Sequence, residues 1–226
     1  MFNCDNFLDF KKDSKVAIIG AHPDDIELSC SGLISALISR YSAKISTILV
    51  TSGGVKSDPR IREEEQKKVN DMMGIQSSHF LNFADGNVQH NLELVSSIES
   101  TLIKISPDVV VTHYTQDHHQ DHIAVSKATL SATRNMYLTI LMYPSWGSRE
   151  VFIPNLYVEL TEENMQKKLE AVNAFRSQAN ARYMDDRSIL ARGAETGLAI
   201  DASYAEKFYL YFTRISLMRN TVNLKK

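Results

Sequence analysis

Apolar positions in this chain alternate between short continuous runs and longer stretches with helical periodicity. Lys15–Gly20 (KVAIIG) and Lys44–Thr51 (KISTILVT) are continuous runs, the pattern of strands buried on both faces. Between them Cys30, Leu33, Ile34, Leu37, Ile38 and Tyr41 recur at helical spacing, which predicts a helix laying one face on a sheet. Arg62–Met73 reads as a second helix with a polar outer face, and Gly74 sits where a C-cap belongs. Ser78–Phe83 predicts a third strand and Asp85-Gly86-Asn87 a turn after it. Leu92–Ile105 predicts a helix closed by Pro107, Asp108–Thr112 (DVVVT) a buried strand, and about Ile123 to Tyr137 a further helix. The C-terminal third is less regular: Leu156–Leu160 and Phe208–Arg214 predict strands, and Glu163–Arg176 a helix.

Strands alternating with helices, the strands continuously apolar, predict an α/β fold: a mostly parallel sheet with helices on both faces. No repeat, low-complexity segment or linker divides the chain, so residues 1–226 are expected to form one domain. In open α/β sheets ligands bind at the C-terminal strand ends. His22, Asp25, Gly53, Asp85 and His122 all fall in loops just after predicted strands, which converges on one rim of the sheet.

Composition narrows the classes of function. Lys+Arg of 25 against Asp+Glu of 27 gives a net charge of −2, which argues against nucleic acid or an anionic membrane as the main partner. Cys4 and Cys30 do not make a disulfide framework. The opening MFNCDNFLDFKKDS lacks the basic-then-apolar pattern of a signal peptide, and no apolar run approaches the ~20 residues of a membrane span. A cytoplasmic protein is the expectation.

The candidate chemistry lies in two loops. Ala21-His22-Pro23-Asp24-Asp25-Ile26-Glu27 follows the first strand, and Asp117-His118-His119-Gln120-Asp121-His122 follows the strand ending near Thr112. Zinc takes His nitrogen and carboxylate oxygen, and a catalytic site leaves one position for water. His22 and Asp25, three apart on a tight turn, can aim at one point; His122 is the choice for the third ligand, with His119 the runner-up. The bland alternatives are a solvated His-rich turn, an N-cap at Asp24, a helix-surface charge at Arg62 and a turn-building role for Asp85. Glu27 reads as a helix-start or supporting residue rather than a third catalytic acid. Tyr143 and Trp146 lie in a Pro/Gly-containing segment suited to a pocket wall. A dinucleotide site is excluded at the first loop, because GAHPDD has no G-x-G-x-x-G turn and its acidic pair repels a pyrophosphate.

AHPDDIELSCSG resembles the AHPDDxE signature of the PIG-L (LmbE-like) zinc-dependent deacetylases. Further blocks are similar to that family in order: Arg62 to Glu65, Leu81 to Gly86, Pro107-Asp108-Val109-Val110 leading to His119-Gln120-Asp121-His122, then Ser177-Gln178 and Tyr204-Ala205-Glu206. The resemblance implies a Rossmann-like deacetylase fold, a Zn²⁺ cofactor held by His22, Asp25 and His122, and Asp24 as general base. It implies that Arg62 and Asp85 hold an N-acetylated sugar substrate, and it leaves a homo-oligomer open. His119, oriented and kept protonated by Asp121, is the candidate donor to the oxyanion. Gln120 stands where the family usually has Pro, which loosens the loop backbone but removes no ligand. Hydrolysis of another amide or an ester, and a non-catalytic binding protein on the same fold, are the competing readings.

Overall fold

A computed structural model describes residues 10–55, 57–148 and 150–214. Cys4 and the rest of residues 1–9 lie outside the described residues. The elements run β1 (Lys15–Gly20), α1 (Asp25–Tyr41), β2 (Lys44–Thr51), α2 (Pro59–Met73), β3 (Ser77–Phe83), α3 (Leu92–Ile105), β4 (Val109–His113), α4 (Gln120–Thr133) and β5 (Thr139–Tyr143). Then follow β6 (Leu156–Leu160), α5 (Glu162–Asn173), two short 3₁₀ turns, α6 (Asp186–Leu198) and β7 (Tyr204–Phe212).

The strands form one sheet in the order β3-β2-β1-β4-β5-β7-β6. β1 to β5 are mutually parallel, whereas β7 runs antiparallel to both β5 and β6. Strand order reverses between β1 and β4, the topological switch point where such sheets bind ligands. The mostly parallel α/β sheet expected from the sequence is therefore present. Alternate residues of β1 feed two cores: Val16 and Ile18 join one with α1 and α5, and Ala17 and Ile19 join the other with α3 and α4. Burial on both faces explains why these strands read as unbroken apolar runs.

Several boundaries move, two of them for a visible local reason. α2 starts at Pro59, not Arg62, because the Asp58 side chain caps Arg60 N and Pro59 occupies the first turn. α4 spans Gln120–Thr133 instead of Ile123–Tyr137; its cap is the His119 side chain, which accepts from Asp121 N. α5 ends at Asn173, and β7 covers Tyr204–Phe212 rather than Phe208–Arg214. Two elements escaped the pattern. β5 (TILMY) is five residues long and comes just after the apolar Met136-Tyr137-Leu138, so it merges with the helix expected to run to Tyr137. α6 contains Gly193 and Gly197, both poor helix formers. They are there because a Cβ on Gly193 would meet Met165 and Tyr204 at 3.2 Å, and one on Gly197 would meet Ala202 O at 2.4 Å.

Glu206 of β7 locks α1 in place. It accepts from Gly32 N at 2.9 Å and Leu33 N at 2.7 Å, and pairs with Lys168 Nζ at 2.6 Å, all buried. A Cβ on Gly32 would lie 2.4 Å from Leu160 Cδ1 and 2.9 Å from Glu206 Oε1. Gly→Ala inside a helix ordinarily gains about 1 kcal/mol. Here the sign reverses: Gly32→Ala is expected to lose about 1–3 kcal/mol to overpacking, read as a lower midpoint in denaturant. An unchanged or raised midpoint would show that this contact is not tight.

Candidate active site

β1 delivers the chain to His22, and the backbone turns left-handed at Asp24 (φ 94°) before α1 begins. A non-glycine residue seldom adopts this conformation. Its result is that adjacent carboxylates leave in different directions. Asp24 meets Arg62 Nη2 at 3.3 Å. Asp25 folds back to accept from His22 N at 2.8 Å, and its oxygens lie 3.3 Å from His22 Nδ1, His113 Nε2 and His122 Nε2. The Asp24 side chain makes no cap hydrogen bond to α1, so the plain N-cap reading does not describe it.

His22, Asp24, Asp25, Arg62, Asp85, His119 and His122 all line one cavity of about 470 Å³ at the C-terminal rim. Asp121 does not; it lies beneath, fully buried. Its carboxylate accepts from Gly86 N at 2.7 Å and Val88 N at 3.1 Å, and meets His22 Nε2 at 3.1 Å. The expected support of His119 by the Asp121 carboxylate is thus replaced by support of His22. His119 receives only the Asp121 backbone N–H, at Nδ1 (3.3 Å), which leaves Nε2 as its donor when the ring is neutral. Burial, with His122 and His22 nearby, lowers the pKa of His119 against the opposing pull of Asp121.

Arg62 is buried, not a surface charge: it donates to Pro23 O, sits against Gly53, and its Nε is buried without a partner. Gly53 (φ 68°) has no side chain where a Cβ would stand 3.2 Å from that Nε. Asp85 does more than build its turn. It accepts from Val55 N at 2.8 Å and meets His22 Nε2 at 3.0 Å, and that hydrogen bond holds its pKa near 2. Glu27 is buried and accepts from Gln66 Nε2 at 2.7 Å; burial pushes it up to about 7. Trp146 lines the cavity, but Tyr143 belongs to β5, where its hydroxyl donates to Ile19 O beneath the site.

Two site residues went unread. His113 ends β4 fully buried, stacks on the His122 ring at 4.0 Å, and accepts from Ala21 N at 3.0 Å. Asp117 meets His122 Nδ1 at 3.1 Å and accepts from His119 N and the Ser145 hydroxyl. A carboxylate five residues before a candidate His ligand was the available signal. His113 offered none, being a single polar residue closing an apolar run.

Among the described residues three donor groups could hold a metal: His22, His119 and His122; Asp25, His113 and His122; His22, Asp85 and Asp121. Zinc bonds of about 2.0–2.2 Å put tetrahedral ligand atoms about 3.3–3.6 Å apart. His22 Nδ1 lies 3.3 Å from Asp25 Oδ2 and His122 Nε2 3.3 Å from Asp25 Oδ1; each pair has that spacing, through different oxygens of one carboxylate, and the two rings with Asp25 are not together one of the three groups. The outer nitrogen of each His is met by a carboxylate, Asp121 for His22 and Asp117 for His122, as metal-binding imidazoles require. His113 Nε2 already serves Ala21 N, so it is the weaker donor. Charge balance agrees. Burial opposes charge on His22, yet Asp121, Asp25 and Asp85 raise its pKa well above the ordinary value. Burial likewise opposes charge on His122, but Asp25 and Asp117 raise it to about 9. Burial alone would raise Asp25; His122 and His113 hold it well below the usual range. The carboxylates demand positive charge, which protons or a divalent ion can supply. Asp24 is pushed up to about 7 by burial, against the pull of Arg62.

The family model described as PIG-L: GlcNAc-PI de-N-acetylase matches residues 17–133. "Uncharacterized deacetylase YaiS" of Escherichia coli (strain K12) is 33% identical over 169 residues, 72% of this chain and 90% of that protein. "Probable N-acetyl-alpha-D-glucosaminyl L-malate deacetylase 2" of Bacillus anthracis is 24% identical over 89% of this chain and 96% of its own length. Among solved structures, N,N'-diacetylchitobiose deacetylase from Pyrococcus horikoshii superposes with a TM-score of 0.78 at 21% identity, covering 92% of this chain and 87% of that one. The chain belongs to the PIG-L family. No helix among the described residues is long and apolar enough to cross a membrane.

Two outcomes follow for the bare and the loaded site. His22 and His122 have folded-state pKa values above 6.5, so the stability they contribute is complete below that pH and is lost as pH rises toward about 9. In chelator, the melting temperature is expected to fall from pH 7 to 9. Zinc competes with those two protons, so its stabilising effect is expected to grow over the same range. Chelator melts that rise with pH would contradict this. Asp117→Asn and Asp121→Asn are each expected to weaken zinc binding about 10–100-fold in competition with a chromophoric chelator. Unchanged zinc affinity in Asp121→Asn would return that residue to His119.

Proposed function

We propose that this chain is a zinc-dependent hydrolase that removes the acetyl group from an N-acetylated sugar or glycoconjugate, with Asp24 as general base. The observation that carries the reading is the split of two adjacent carboxylates, Asp25 into the histidine cluster and Asp24 to the cavity wall beside Arg62. That is the division of labour between a metal ligand and a base. The names of the relatives support the reaction class, since all of those reported above are deacetylases.

His22, Asp25 and His122 would hold the zinc, which when bound supplies Lewis acidity, acidifying water and polarising the acetyl carbonyl. Asp24 takes a proton on Oδ2, the oxygen opposite its Arg62 contact, and returns it to the departing amine. A buried carboxylate near 7 is matched to that exchange at neutral pH. Arg62 tunes the base, because its charge is what draws the Asp24 pKa down against burial. His119 donates from Nε2 to the oxygen that gains charge. Arg62 and Asp85 line the same cavity and would hold the sugar. The products are acetate and a free amino sugar.

Acetate release across a panel of N-acetyl sugars, with zinc per chain by elemental analysis, tests the reading. Wild type is expected to carry zinc and release acetate. Asp24→Asn is expected to keep its zinc and lose most of kcat, while His119→Ala loses about 10²–10³-fold. Near wild-type turnover in Asp24→Asn would remove it from the base role. A folded, zinc-free protein inert toward the whole panel would sink the proposal.

A further inference from the structure

A second cavity of about 460 Å³ opens beside the first. Leu28, Ser29, Ser145 and Trp146 line both, so the two cavities adjoin along a waist walled by these four residues. The second chamber is built by the C-terminal third: β6, α5, α6 and β7 supply most of its wall. Its apolar surface comes from Leu28, Phe152, Leu160, Met165, Ile189 and Ala205. Three carboxylates, Glu150, Glu195 and Glu206, and three cations also border it, so the charges balance, and each cation is engaged. Lys168 pairs with Glu206 at 2.6 Å, and Lys207 with Glu195 at 3.7 Å. Arg192 lies 4.9 Å over the Trp146 ring and donates to Ser188 O and Tyr183 O.

We infer that this chamber receives an uncharged, largely apolar aglycone, alkyl or aryl, carried by the amino sugar whose acetyl group lies in the first cavity. The inference rests on the deacetylase reading above for what fills the first chamber. An anionic aglycone is disfavoured, because it must compete with Glu206 for Lys168. Breaking that buried pair would strand a carboxylate that also holds the α1 backbone. An apolar group only displaces water from the aliphatic wall, and each methylene taken in multiplies affinity by up to about fourfold. Trp146, stacked on one side by Arg192 and neighboured by Tyr183 at 6.2 Å, forms the waist such a ligand must cross.

Trp146 is the chain's one tryptophan, so its fluorescence reports on the waist independently of turnover. The zinc-loaded enzyme is titrated with methyl, butyl and octyl N-acetyl-β-glucosaminides below their micelle concentrations, and with an octyl analogue ending in a carboxylate. Expected are a saturable Trp146 shift and an octyl Kd at least about tenfold below that of the methyl glycoside, with KM for acetate release following the same order. The carboxylate-ended chain is expected to lose that gain. Thr196→Phe, which projects into the chamber from α6, should bring the octyl-to-methyl ratio close to one. The wild-type series decides the matter whether or not that variant folds. Acetate release with no dependence on chain length overturns the aglycone chamber and leaves the deacetylase reading standing. Tighter binding of the carboxylate-ended chain overturns the uncharged class. A chain-length-dependent Trp146 shift without any acetate release upholds the chamber and defeats the deacetylase reading.

Discussion

The site depends on one left-handed backbone residue. At Asp24 the chain adopts φ 94°, a conformation that costs a non-glycine residue about 1–3 kcal/mol. The surroundings over-determine it. Pro23 O accepts from Arg62 on one side, and Asp25 accepts from His22 N on the other, so the corner is tied at both ends. With the corner so fixed, Asp24 is held toward Arg62 and Asp25 toward the histidines. Local strain here is converted into a chemical distinction between two identical side chains.

The second constraint is that imidazole has two nitrogens and the protein occupies the outer one. Asp121 meets Nε2 of His22, and Asp117 meets Nδ1 of His122, which turns the opposite nitrogens toward Asp25. Both carboxylates are themselves anchored by backbone N–H groups, Asp121 by Gly86 and Val88, Asp117 by His119. The loops after β3 and β4 are thereby linked to the corner after β1. A parallel sheet brings those loops to one rim, and side-chain hydrogen bonds then fix the rings within it.

The C-terminal third completes the cleft. Glu206 reaches from β7 into α1, so the strand that lines the second chamber also holds the helix that starts at the site. Ser177, in the 3₁₀ turn after α5, donates twice to Glu65 of α2 and so ties this region to the helix carrying Arg62. Most of the second cavity's wall is therefore supplied by the part of the chain whose pattern reads least regularly, and the histidine–carboxylate cluster by the rest.

Most of the fold was legible from apolar periodicity, because strands buried on both faces and helices buried on one leave patterns in a linear sequence. The two reactive loops were legible because HPDD and HQDH concentrate ionisable groups beside strand ends. What the linear order could not show was which carboxylate serves which ring. Asp121 is two residues from His119, yet its carboxylate goes to His22, 99 residues away in sequence. His113 was invisible as a site residue because it closes an apolar strand, and β5 because its five residues follow an apolar stretch that reads as the end of a helix. Hydrogen-bond partners across a sheet rim are set by distances in space, and sequence spacing carries no information on them. The sequence by itself determined the strand–helix alternation and the stock of reactive groups. Only the tertiary structure decided how those groups are paired, which nitrogen each ring presents, and that a second chamber lies beyond Trp146.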